Sequence, residues 1–240
     1  MLFLILIALA IPGTHNQSPA KASTDDHAIV TPRRIERTIG RGEDRQTTVM
    51  IRPVVKGLPE PFLKRIRKEF ELKKVLGQYY EFYKDHELFG LDYRVTYNQH
   101  YILAITFSWN AYFAEHRKGM TFDLRNGSLI KPQDLFRDDE VAGLVKLIDQ
   151  KLQAELEQIL HDYKGPLDLN YLLKDLAPPL RGTFDDLVEF ALNDKGITFF
   201  YYAGYHHTLA RFEPKGRYFF KYSEIKSFLK PNSVVWQFVQ

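Results

Sequence analysis

No cysteine occurs anywhere in the 240 residues. That removes a thiol nucleophile, a thiolate metal site, a structural disulfide and a lipid-bearing cysteine at a processed N-terminus. Packing alone must hold the fold. Charge of one sign is also lacking, since 33 Lys and Arg stand against 30 Asp and Glu, for a formal net charge of +3. The basic residues are scattered, without the concentrated footprint of a nucleic-acid binder, so no nucleic-acid partner is expected. No phosphate-binding loop, dinucleotide fingerprint or H-E-x-x-H helix is present, and Ser108 lies in a strand pattern rather than a G-x-S-x-G elbow. His15, His27, His86, His100, His116 and His161 show no ligand spacing. Neither a metal nor a cofactor is therefore expected.

Long apolar runs are absent too, with one short exception. Leu2 to Leu9 is uninterrupted, and Pro12 and Gly13 end the segment soon after. A helix needs about 20 apolar residues to span a bilayer, so no transmembrane helix is expected. An apolar stretch of this length followed by small residues reads as a signal peptide over residues 1–22, with Ala20-Lys21-Ala22 as one cleavage site. No Lys or Arg precedes the run, which leaves a signal without its ordinary positive region or a start that lies upstream. A buried strand would have the same composition. The export reading places the protein in the periplasm or outside the cell.

What is present is a well-supplied core: 45% apolar and 14% aromatic residues, with 18 Phe and 14 Tyr. A chain of this size buries roughly 70% of its unfolded surface. Residues 23–45 carry few large apolar side chains and read as a disordered tether. Residues 46–137 read as an N-terminal α+β domain and 138–240 as a C-terminal one. In the first, a strand from Thr47 precedes an amphipathic helix over 60–84 with a basic outer face. Strands over 91–97, 101–109 and 120–124 follow, with turns at Asn98-Gln99-His100 and Asn126-Gly127. In the second, a helix near 141–161 begins beside Asp138, a good N-cap, and strands run over 187–192 and 197–202 around a Gly196 hairpin. A strand at 217–222, a short helix over 223–229 capped by Ser223 and an edge strand VVWQFV complete it. The fold class is α+β, with antiparallel sheets, two long helices and a short C-terminal helix.

Asp185-Asp186 and Asp138-Asp139-Glu140 have the composition of acid–base carboxylates, but each sits where an element begins, and helix starts favour acids. The aromatic run Phe199, Phe200, Tyr201, Tyr202 and Tyr205 is the densest in the chain. Alternation gives one face to the core and leaves the other for sugar rings or a protein interface. The candidate ligand-binding residues are therefore Tyr201, Tyr202, Tyr205, His206 and Arg211. Of His206 and His207, adjacent on a strand, at most one joins a given cluster.

The stretch from Val95 to Phe136, with Asp123-Leu124, Gly127 and Asp134-Leu135-Phe136, resembles a bacterial extracytoplasmic domain of unknown function. Lys195-Gly196, Tyr205 and Tyr222-Ser223-Glu224-Ile225 continue the resemblance, which covers roughly residues 47–230. That domain occurs in the ectodomain of a lysozyme-sensing anti-sigma factor and beside peptidoglycan deacetylase domains. No deacetylase domain accompanies it in this chain. The resemblance implies an exported, non-enzymatic recognition module of the cell envelope, binding cell-wall glycan or an envelope protein. A strongly basic lysozyme suits a mildly basic chain less well than a glycan does. The alternative is an envelope hydrolase whose site assembles only in three dimensions.

Overall fold

The computed structural model describes residues 26–39, 45–83, 89–111, 114–165, 180–202, 205 and 209–239. Strands β1 (Ile29–Ile39) and β2 (Gln46–Lys56) form a long antiparallel pair. Helices α1 (Glu60–Glu69) and α2 (Leu72–Leu76) follow, then a short α3 (Tyr80–Tyr83). Strands β3 (Phe89–Gln99), β4 (Ile102–Ala111), β5 (Ala114–Asp123) and β6 (Ser128–Leu129) complete a six-stranded sheet in sequence order. After a single turn of helix, α4 (Pro132–Leu135), the 22-residue α5 (Val141–Asp162) leads to a second, three-stranded sheet. Its strands are β7 (Phe190–Leu192), β8 (Gly196–Phe200) and β9 (Arg217–Lys221), all antiparallel.

The large sheet carries a core on each face, as alternation along β4 requires. Leu103, Ile105, Phe107 and Trp109 face α1 and α2, whereas Ile102 and Ala104 face α5 and the second sheet. The fold is thus α+β, as the element order implies.

Several elements differ from the sequence-based expectation. Residues 29–39, expected within the tether, are strand β1. Val30 and Ile35 pack partly against the core while Ile29 is exposed, so composition gives little sign of it. Its stability comes from an eleven-pair register with β2, a backbone ladder to which composition is nearly blind. The helix expected over 60–84 is broken at Phe70 and Glu71, where the apolar stripe shifts. Glu71 is extended (φ −59°, ψ 139°), and Arg52 donates a hydrogen bond to the Phe70 carbonyl. The Phe70 ring meets Phe107 and Phe122 edge-on, fixing the break. The C-terminal VVWQFV is no edge strand: Val235 is buried and Trp236–Phe238 forms a 3₁₀ turn. The helix expected at 223–229 is reduced to a 3₁₀ turn, Lys226–Phe228, without a side-chain cap. Asp138 likewise does not cap α5; it pairs with Lys230 at 3.1 Å.

Two of the turn assignments move as well. The loop after β5 spans four residues, because Asp123 pairs with Ser128. Gly127 there has φ +72°, and a Cβ would lie 2.7 Å from the Phe62 backbone, so α1 requires glycine at that point. The β3–β4 hairpin turns on His100 and Tyr101, one residue later than expected.

Prolines decide how the two-stranded arm joins the sheet. Pro32 faces Pro53 across the β1–β2 pair, a place where neither strand needs an N–H from the other. The β2–β3 contact is parallel and is registered only at Met50 and Leu91, because the next bond of that ladder would come from the N–H that Pro53 lacks. Asn98 bridges the gap instead. Its Oδ1 accepts from the Ala28 N–H at 2.9 Å, and its Nδ2 donates to the Ala28 carbonyl at 2.7 Å. Replacing Asn98 by alanine strands two backbone groups of a buried residue, so a loss of about 2 kcal/mol is expected. Urea unfolding checks this; a change under about 0.5 kcal/mol would remove Asn98 from that role.

Candidate functional site

A cleft of about 640 Å³ lies where the second sheet wraps around the border of the first. The border is open there because β6 reaches only Phe122 and Asp123 on β5. Trp109 and His116 are direct cross-strand neighbours on β4 and β5, and their rings stack at 5.4 Å and 8°. From one side Gly77 (φ +55°) ends α2 and turns the chain so that Tyr79 meets His116, ring centroids 4.8 Å apart. From the other, Tyr202 leaves the end of β8 and packs against His116 at 4.1 Å and against Tyr79 at 5.7 Å. Elements distant in sequence thus build one aromatic wall.

His116 is 3% exposed. Burial pushes its pKa down to about 4, so the imidazole is neutral at physiological pH and the wall carries no charge. Beside it Lys118 on β5 and Glu189 before β7 pair at 3.0 Å, tying the two sheets together. Burial raises the Glu189 carboxyl and the nearby Lys118 ammonium opposes that shift. Glu213 also lines the cleft and accepts the Tyr205 N–H at 3.1 Å. Arg117, Asp185, Lys215 and Arg217 supply polar groups around the opening. An uncharged aromatic surface among convergent polar side chains suits a ring-shaped ligand rich in hydrogen-bonding groups.

Of the five residues expected from sequence, the cleft brings together two. Tyr201 and Tyr202 are half-buried and line it, and the Tyr201 N–H bonds the Gly216 carbonyl at 2.9 Å. Tyr205 is 6% exposed and belongs to the core around α5, its hydroxyl pushed up to about 12 by burial and Glu213. Arg211 is exposed and lies 4.5 Å over the Phe212 ring and 5.5 Å over Tyr163, outside the cleft lining. His206 and His207 lie outside the described residues. The alternation read along 199–202 ends with the strand at Phe200, so Tyr201 and Tyr202 reach one cleft instead of opposite faces.

Sequence reading missed Tyr79, Trp109, His116, Lys118 and Glu189. The Trp109–His116 pair had a readable signal in the β4–β5 register, but β5 was expected to begin only at Met120. Asp186 is structural, accepting from the Thr183 N–H at 2.8 Å and its hydroxyl at 3.2 Å. Among the described residues no cluster of His, Asp or Glu is arranged to hold a metal ion, and no helix is long and apolar enough to cross a membrane.

No family model matches the sequence, and no curated protein is significantly similar to it. Solved structures are. A DUF3298 family member from Bacteroides fragilis superposes with a TM-score of 0.57 at 14% identity, over 90% of this chain and 99% of its own. A DUF3298 family protein from Pseudomonas aeruginosa PAO1 superposes with a TM-score of 0.51 at 19% identity, over 87% of this chain and 97% of its own. What they share with this chain is the fold, along nearly its whole length.

Proposed function

We propose that this chain is an exported, non-enzymatic recognition module of the cell envelope whose aromatic cleft binds cell-wall glycan. The observation that carries the reading is the wall of Tyr79, His116 and Tyr202, packed ring to ring at 4.1 to 5.7 Å and opening on a cleft of about 640 Å³. Sugar rings present C–H faces that pack on such surfaces, with hydroxyls left for the polar rim. Export rests on the apolar run Leu2 to Leu9 and on the resemblance to extracytoplasmic domains. The DUF3298 fold agrees with that resemblance.

Purified residues 23–240 should be retained on insoluble peptidoglycan at both low and high salt, since stacking is little screened. Tyr202→Ala should lower the retained affinity by about tenfold, the equivalent of roughly 1.4 kcal/mol for one lost aromatic contact. Full retention of a folded Tyr202→Ala protein would end the reading. An envelope protein as ligand would appear as no retention at any salt.

One observation favours a hydrolase as second reading: Glu189, a carboxyl raised by burial, lines the same cleft. Soluble sugar fragments released by the wild type and not by Glu189→Gln would establish it.

A further inference from the structure

The β3–β4 turn is built from the wrong residues for its shape. His100 and Tyr101 are its two central residues, with φ +51° and +60°. Positive φ at both positions defines the two-residue hairpin turn that strongly favours Asn-Gly, and bulky side chains there cost stability. The backbone strain is held by three hydrogen bonds: His100 N–H to Asp26 Oδ2, Tyr101 N–H to the Asp26 carbonyl, and Leu124 N–H to the Tyr101 carbonyl, at 3.1, 2.7 and 2.8 Å.

His100 has a structural reason to be there. Its Nδ1 bonds the Tyr97 hydroxyl at 2.6 Å, and its ring lies against Tyr97 and Phe238. Tyr101 has no such reason: its side chain is 38% exposed and belongs to neither core. It lines a second cleft of about 360 Å³ with Arg125, Asn232 and Gln237. This cleft lies at the far end of β4 from the aromatic wall, roughly 30 Å away at about 3.4 Å per residue.

The charges around it are answered within the protein. Arg125 grips Asp123 with two contacts of 2.8 and 2.7 Å, and the Asp26 carboxylate holds His27 and the His100 N–H. Gln237 Nε2 donates to the Val234 carbonyl at 2.8 Å, so what remains for a ligand is a tyrosine ring, the Asn232 amide and the Gln237 amide oxygen, a surface suited to an uncharged, hydroxyl-bearing ring. We infer that the cleft at Tyr101, Arg125, Asn232 and Gln237 is a second binding site, taking a neutral saccharide ring against Tyr101. The inference shares its ligand chemistry with the reading above but none of its residues.

The test is a titration of isotope-labelled protein with cellotriose, a neutral trisaccharide, followed by amide chemical shifts. Saturating shifts at Tyr101, Arg125, Asn232 and Gln237 are expected in the wild type and in Tyr101→Phe, which keeps the ring. In Tyr101→Asn they should vanish, while the melting temperature rises by about 2–4 °C as the left-handed strain is relieved. Shifts confined to residues around His116 and Tyr202 would overturn this second site and leave the first standing. Shifts at neither place would overturn both. Persistence of the second set in Tyr101→Asn, or a lower melting temperature for that variant, would remove the argument that Tyr101 is kept for a ligand.

Discussion

Gly119→Ala is expected to be among the most destabilising single substitutions in this chain, costing about 3 kcal/mol or more. A Cβ at position 119 would stand 1.7 Å from the Phe190 carbonyl oxygen and 2.9 Å from the Ala191 nitrogen. Those are backbone atoms of β7, which cannot rotate aside as a side chain would. At this point β5 of the large sheet touches β7 of the small one, main chain against main chain. Lys118 and Glu189 pair next to it. A methyl group there must separate the sheets and loosen the core that α5 shares with both. Urea unfolding of Gly119→Ala beside Gly143→Ala gives the comparison. At Gly143, within α5, the close neighbour is a side-chain atom of the Phe228 ring at 3.1 Å rather than backbone, and alanine favours a helix. Equal stability of the two variants would show that the sheets do not meet as described.

Acid should destabilise the protein through His116 by about 3 kcal/mol between pH 6.5 and 4. Its folded pKa is lowered to about 4 from an unfolded value of 6.5. Between those values the unfolded chain binds a proton that the buried imidazole refuses, so the unfolded state gains as pH falls. Stability from this residue is therefore complete above pH 6.5, declines through the window, and is level below about 4. Glu189 acts in the opposite sense. Its folded pKa is raised, so its contribution is lost as pH rises above the unfolded value of 4.5, which makes the net slope shallower. The exposed carboxylates Asp26, Asp139 and Asp162, whose pKa values are lowered from 3.8, act below this window. His116→Phe keeps a ring against Trp109 and Tyr202 but has no proton to take. Its unfolding free energy should change less between pH 7 and 4.5 than that of the wild type. Identical pH slopes would mean that His116 is not buried in the folded state.

The two predictions rest on contacts of different sequence range, and this divides what could be read early from what could not. The order of elements followed from local signals: apolar spacing gave α5, alternation gave β3, β4 and β8, and Pro and Gly marked many of the stops. Those signals act within a few residues, so composition and spacing determined an α+β chain without thiol chemistry. The break at Phe70 was present as a shift in the apolar stripe, but only Arg52 and the rings of Phe107 and Phe122 turn that shift into a break. Strand β1 escaped notice because a backbone ladder leaves little trace in side-chain composition.

The cleft was legible only in part. Tyr201 and Tyr202 stood out as an aromatic cluster, whereas Tyr79, Trp109 and His116 looked like isolated residues on three separate elements. Their meeting depends on a short β6 that leaves β5 open, on Gly77 turning the chain, and on Gly119 letting the two sheets approach. Tyr205 was equally aromatic and equally close in sequence, yet it lies in the core. Sequence determined which residues were suited to a binding surface; tertiary structure decided which of them face a cleft, because burial and ring stacking depend on neighbours brought together by folding.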